Sequence, residues 1–275
     1  MRHDIRLIVT DLDGTLISDE DSVSEANLRA LHDAYEVGVQ VALCSGRSPK
    51  DVSEIALAAG LDDAAIIALN GAVSLDRPLG EILEDHRISS VSARTCLEIL
   101  LPQSGDLVAY KGEQKSEITL SSRPRGSRFF QKASQDETSK QMFYALAVDG
   151  LNKLFYSEMD HPERLRAVRK KLMLVPGIDI TSSWFTNIEI MPTGVNKGNA
   201  VRAMANRMGI NLDQVIAFGD NDNDASMLSL VGYGVAMGNA TDAARSAARY
   251  TTDSSVGNGV AKAIERFILM QDKPA

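Results

Sequence analysis

Three short apolar runs in the N-terminal third constrain this chain more than any other feature. Residues 5–10 (IRLIVT), 39–44 (VQVALC) and 66–69 (IIAL) are too short for helices and rich in β-branched or other apolar side chains. They read as buried strands. Helical periodicity fills the gaps between them. Ser22 and Glu25 form a capping-box pattern ahead of Leu28, Leu31 and Tyr35, which predicts an amphipathic helix ending near Gly38. Ser48 and Pro49 suit the N-cap and N1 positions of a second helix, which Gly60 is placed to end. Strand, helix, strand, helix, strand implies a parallel sheet with right-handed crossovers.

The same rhythm returns in the last third. A helix over about 197–208 closed by Gly209, a strand at 215–218, a helix from about 223 and an apolar run at 233–236 are followed by helices at about 241–248 and 257–269. These predict the other half of one doubly wound α/β sheet. The middle has a different grain: strands at 107–110, 151–157, 178–183 and 187–191 interleave with helices at 90–101, 138–147 and 161–173. The expected organisation is a discontinuous Rossmann-like core of residues 1–80 and 191–275, with an α+β domain, 81–190, inserted into it. Ser116–Ser134 reads as the least structured stretch, and its basic residues Arg123, Arg125, Arg128 and Lys132 as a solvated loop.

With 44% hydrophobic residues, both parts can bury a core, and no metal is needed merely to fold. A formal net charge of −8 argues against nucleic acid or anionic lipid as a partner, so an anionic ligand must be drawn in by a local site. Uncharged apolar runs such as Val39–Cys44 and Val215–Phe218 fall far short of the ~20 residues that span a bilayer. Arg2, His3, Asp4 and Arg6 interrupt any signal-peptide core. Cys44 and Cys96 have neither metal-ligand nor C-x-x-C spacing, so a reducing cytoplasm is the expected compartment. Nothing in the sequence specifies an oligomeric state.

The chemistry gathers where the strands end. The first strand runs into Asp11-Leu12-Asp13-Gly14-Thr15-Leu16. Two carboxylates two residues apart raise one another's pKa unless a cation or proton is shared. That points to a hard cation, most naturally Mg²⁺, leaving one carboxylate as nucleophile and the other as acid/base. A solvated turn is the bland alternative, since Asp and Gly are favoured in turns. The pattern D-x-D-G-T, however, starts by chance at only about 10⁻⁵ of positions. The second strand ends in Cys44-Ser45-Gly46-Arg47, where a hydroxyl and backbone N–H groups suit a phosphate oxygen or, equally, a helix cap. Lys197 stands at the start of a helix, where a cation is unfavourable for the helix itself. A bound anion or the carboxylate pair would explain it, as would a plain surface position. The strand 215–218 leads into Gly219-Asp220-Asn221-Asp222-Asn223-Asp224, a second acidic cluster at the same sheet edge. Neighbours in a tight loop cannot all face one ion, and Asp222 is the weakest of the three carboxylates.

Together these segments resemble the haloacid dehalogenase superfamily of aspartate-dependent phosphohydrolases, in particular its Cof-type branch with a large α/β cap. The motifs are D-L-D-G-T-L at 11–16, C-S-G-R at 44–47, N-G-A at 70–72, K-G at 197–198, G-D-N-D-N-D at 219–224 and M-G-N-A at 237–240. The resemblance implies that Asp11 attacks phosphorus, while Asp13 protonates the leaving alcohol and later activates water. It implies phosphate contacts from Ser45, Gly46, Asn223 and Lys197. It also implies Mg²⁺ held by Asp11, the backbone carbonyl of Asp13 and Asp220, with Asp224 as a nearby or water-mediated partner. The expected substrate is a small phosphorylated metabolite, a sugar phosphate first of all. A phosphomutase sharing the aspartyl-phosphate stays open as an alternative, and a phospho-accepting signalling module is a remoter one. In the cap, Trp184 and Phe185 read as core aromatics rather than a stacking platform, and Glu189 lies in a strand just before the return to the core.

Overall fold

The computed structural model describes residues 4–18, 22–103, 105–112, 114–119, 137–159, 161–182 and 186–272. The chain divides into two units, Met1–Glu84 with Asn196–Ala275, and Asp85–Val195. Sequence periodicity put the crossings at 80/81 and 190/191. Strand pairing explains the later boundaries: residues 82–84 belong to a strand of the first unit's sheet, and the last strand of the second unit runs to Pro192.

The first unit begins β1 (Leu7–Thr10), α1 (Glu25–Glu36), β2 (Gln40–Cys44), α2 (Pro49–Ala58), β3 (Ala65–Ala68), β4 (Val73–Leu75) and β5 (Ile82–Asp85). β1 is buried along its whole length, as expected of a parallel strand covered on both faces. α1 is capped by Ser24, whose Oγ accepts from Asn27 N at 3.2 Å, and not by Ser22. Since the helix starts at Glu25, that glutamate is N1 and cannot close a box from N3. The buried stripe is Asn27, Ala30, Leu31 and Ala34, a step round the helix from the expected Leu28 and Tyr35. Tyr35 is half exposed and donates to Asp63 at 3.1 Å. α2 has Ser48 as N-cap and Pro49 as its first residue, as the sequence indicates.

The second unit contains α3 (Ser90–Leu100), β6 (Asp106–Lys111), β7 (Gln114–Thr119), α4 (Glu137–Leu146), β8 (Lys153–Ser157), α5 (Leu165–Leu172), β9 (Ile178–Thr181) and β10 (Asn187–Pro192). Its sheet has the order β7-β6-β8-β10-β9 and every recorded pairing is antiparallel. Alternate residues of three strands, Leu107 and Ala109, Leu154 and Tyr156, Ile188 and Ile190, pack in one cluster with Cys96, Leu97 and Leu100 of α3, Phe143 of α4 and Leu172 of α5. This is the one-face-covered pattern of an α+β layer. On the other face, Lys153 Nζ meets Glu189 Oε2 at 2.8 Å, both side chains about 5% exposed or less. β7 corrects the expectation that structure fades from Ser116. Residues 114–119 pair along all of β6, which supplies backbone partners that the sequence QKSEIT gives no apolar reason to expect. The basic stretch 123–132, Trp184 and Phe185 lie outside the described residues.

The chain returns through α6 (Lys197–Arg207), β11 (Val215–Gly219), α7 (Ala225–Leu230), β12 (Tyr233–Ala236), α8 (Asp242–Ala247), β13 (Tyr250–Thr251) and α9 (Gly259–Phe267). The eight-stranded sheet has the order β13-β12-β11-β1-β2-β3-β4-β5. β1, β2, β3, β11, β12 and β13 are mutually parallel, while β4 turns back antiparallel to β3. The sheet is therefore mixed rather than wholly parallel. A 3₁₀ turn, Leu69–Gly71, reverses the chain there, with Leu69 at φ +50° and Asn70 at φ +55°. The strand order grows outward in opposite directions from β1 and β11, which makes their junction the switch point where ligands of such sheets bind. Asn27 ties the ends of the chain together: its Oδ1 accepts from Ala261 N at 3.0 Å in α9. No helix among the described residues is long and apolar enough to cross a membrane.

Candidate active site

Asp11 extends β1 by one residue, its N–H donating to Phe218 O of β11 at 3.0 Å. The chain then turns sharply at Gly14, φ +82°. A Cβ there would lie 2.5 Å from Asp220 Oδ2, so the glycine serves both the turn and the close approach of the second acidic loop. From the other side, β11 ends at Gly219 and the chain enters a 3₁₀ turn, Asp222–Asp224. Asp224 is fully buried and its Oδ2 accepts from the N–H groups of Asp220 and Asn221, at 2.9 Å each.

Between these loops lies Lys197, 1% exposed, at the first turn of α6. Its Nζ donates to Asp11 Oδ1 at 2.6 Å and to Asp224 Oδ1 at 2.5 Å. The two carboxylates account for a cation at a helix N-terminus. Burial opposes the charge on Lys197, yet Asp11 and Asp224 outweigh it and hold the ammonium well above its ordinary pKa. Asp11 is also pushed well above the carboxylate range, first by burial and then by Asp224, against the pull of Lys197. Asp220 takes a 2.7 Å hydrogen bond from Thr15 Oγ1 and is pushed up to about 6, chiefly by burial. Asn239 Nδ2 donates to Gly14 O at 2.8 Å and lies 3.4 Å from Asp220 Oδ2, bridging the two loops.

Asp11, Asp220 and Asp224 each offer an oxygen within 4.8 Å of the others. Three carboxylates against one ammonium leave a surplus of negative charge, and Asp224 adds to the upward push that burial gives Asp11 and Asp220. The residues fit a hard divalent cation, whose ligands are oxygens.

The remaining sequence candidates divide into three groups. Ser45 is buried, its carbonyl accepting from Asn70 N at 2.9 Å and its Oγ from Arg47 N at 3.2 Å, and Gly46 beside it is half-buried. Asn223 Nδ2 donates to Asn70 Oδ1 at 3.1 Å, so Asn70 links the two expected phosphate contacts. The Asp13 side chain is not part of the acidic cluster but faces Arg47. Asp222 is turned away, accepting from Thr241 Oγ1 at 2.8 Å. Thr15, Arg47, Asn70 and Asn239 received no role from the sequence, although all four stand inside its quoted motifs. The signal was there, but backbone spacing does not show which side chain supports which.

Residues 8–264 match the sequence model of the haloacid dehalogenase-like hydrolases. The chain is 30% identical over 266 residues, 97% of each chain, to the 5-amino-6-(5-phospho-D-ribitylamino)uracil phosphatase YcsE of Bacillus subtilis. It is 30% identical over 276 residues, 96% of this chain and 97% of the other, to the pyridoxal phosphate phosphatase YbhA of Escherichia coli. A solved haloacid dehalogenase-like hydrolase from B. subtilis superposes with a TM-score of 0.79 at 26% identity, covering 96% of this chain and 100% of that one.

Proposed function

The chain belongs to the haloacid dehalogenase-like hydrolase family, and on that premise we propose that it is a Mg²⁺-dependent phosphatase of small phosphorylated metabolites acting through Asp11. The observation that carries the reading is the buried Lys197 ammonium shared by Asp11 and Asp224 beside Asp220. It fixes the nucleophile at the sheet edge with one oxygen neutralised. An Asp11 oxygen attacks phosphorus as the bond to the leaving alcohol breaks, and Asp13 gives that alcohol its proton. Asp13 then takes a proton from water as the water oxygen bonds to phosphorus. The aspartyl–phosphorus bond breaks, releasing phosphate and restoring Asp11. Ser45, the backbone at Gly46, Asn223 and Lys197 hold phosphoryl oxygens and offset their charge. Mg²⁺, held by Asp11, the Asp13 carbonyl and Asp220 with Asp224 alongside, would supply further neutralisation of the phosphoryl oxygens. Residues 85–195 serve as the cap that selects substrate. The relatives described above are named phosphatases of 5-amino-6-(5-phospho-D-ribitylamino)uracil and of pyridoxal phosphate, which supports small phosphorylated metabolites as the class, and sugar phosphates are the first to test. The buried free thiols Cys44 and Cys96 suit a reducing cytoplasm.

The test is phosphate release from sugar phosphates, pyridoxal phosphate, nucleotides and aryl phosphates, with Mg²⁺ or EDTA, for the wild type and Asp11→Asn. Turnover that requires Mg²⁺ and disappears in the variant is expected. Turnover surviving in Asp11→Asn would overturn the nucleophile assignment, and absence of release from the whole panel would overturn the hydrolase reading.

A further inference from the structure

The Asp13 side chain is 55% exposed, so packing alone does not fix its orientation. Arg47 does so instead. Its Nε donates to Asp13 Oδ2 at 2.8 Å and its Nη2 to Oδ1, a two-pronged grip on both oxygens. The arginine's backbone is held on both sides: its main-chain N–H donates to Ser45 Oγ at 3.2 Å and its carbonyl accepts from Leu69 N at 2.9 Å. Leu69 adopts the left-handed conformation, which is rare for a leucine and persists only where the surroundings impose it. β1 and β2 run in parallel register, Thr10 beside Leu43, so Asp13 and Arg47 leave the sheet from adjacent strands.

We propose that Arg47 is a positioning residue that holds the Asp13 carboxyl in line with the leaving oxygen. The inference rests on the reading of Asp13 as the acid/base of a phosphatase. Arg47 neither gives nor takes a proton, since its guanidinium stays charged. The proton passes from Asp13 to the leaving oxygen as that oxygen's bond to phosphorus breaks and the bond from Asp11 forms. Without the grip, Asp13 is free to leave the one staggered rotamer that serves this transfer. Lysine cannot replace the fork, because a single ammonium does not reproduce the planar pair of donors.

Phenyl phosphate and p-nitrophenyl phosphate separate a positioning role from a merely structural one. They share a shape, but the phenyl leaving group needs a proton far more than the nitrophenyl one. With each ester kcat/KM reports only the steps up to departure of the phenol. Acid catalysis contributes about 10²–10⁴-fold, so in Arg47→Ala the phenyl to nitrophenyl ratio of kcat/KM is expected to fall about tenfold or more. Arg47→Lys should recover part of that ratio, and Arg47→Ala should cost nothing further in an Asp13→Asn background. An unchanged ratio in Arg47→Ala, whatever happens to the absolute rates, overturns the inference, as does full additivity with Asp13→Asn. Failure of the wild type to hydrolyse either ester would instead overturn the phosphatase reading beneath it.

Discussion

In the eight-stranded sheet Asp11, Ser45 and Asp220 each follow the last residue of a parallel strand, whereas in the five-stranded sheet Lys153 and Glu189 stand within antiparallel strands. Parallel strands all finish at the same edge, so loops distant in sequence meet there: Thr15 and Asp220, 205 residues apart, share a 2.7 Å hydrogen bond. Antiparallel strands finish at alternate ends, and their polar side chains collect on a face instead. The contrast teaches where to look for chemistry in each part. The core concentrates surplus carboxylates at an edge, while the cap buries Lys153 against Glu189 within a sheet face.

The largest effect that would test this contrast is at the edge. Asp11→Asn should lower phosphate release on the order of 10⁴-fold or more, read as kcat/KM, with the circular dichroism spectrum unchanged. A modest loss would remove the edge from the chemistry. On the face, Lys153→Met leaves Glu189 buried without its ammonium and should cost roughly 3–5 kcal/mol of cap stability in a denaturant titration. Adding Glu189→Leu should restore most of it. If Lys153→Met instead slowed turnover with stability intact, the face would belong to the chemistry and the contrast would break.

A subtler test uses pH. Asp220, at about 6, stands above its ordinary carboxylate value, so in the metal-free chain the folded state binds a proton that the unfolded state has released between about pH 4 and 6. Its contribution to stability is therefore present at low pH and fades as pH rises through 6. A cation must displace that proton, so the Mg²⁺ concentration that half-saturates the rise in melting temperature should be higher at pH 5 than at pH 7 by about tenfold from Asp220 alone, and by more where Asp11, also raised, yields a proton too. Equal values would remove Asp220 from the ion's surroundings. The smallest effects serve as the control in which the two parts should not differ. Ser24 caps α1 and Ser89 caps α3 in the same way, so either serine to alanine should cost about 1 kcal/mol, measured as faster hydrogen exchange in the first turn.

This contrast also explains what the sequence discloses. At the parallel edge each loop is contiguous, so D-L-D-G-T and G-D-N-D-N-D carry their strand, their turn and their carboxylates in one readable block. The capping serine of α1 was misread by two residues because Ser22 and Ser24 both precede the apolar stripe, and only the backbone decides which stands at the N-cap. β7 was illegible because its residues are held by β6, not by their own pattern. Arg47 and Asn70 were visible as letters of a motif but mute as to role, since their work is done through Asp13 and Asn223 in other loops.

Lys197 bridging Asp11 and Asp224 has a consequence for how the protein comes into being. Lys197 is made 186 residues after Asp11, and Asp224 27 residues later still. At 5–20 residues per second, ribosomal synthesis leaves β1 waiting roughly 10–40 s for β11 to cover its open edge. Throughout that interval β1, already paired with β2 on one side, offers its other edge to wrong pairing. On the function proposed above, hydrolytic competence arises only after the returning segment has docked, and phosphate release becomes a report that translation has passed the final acidic loop.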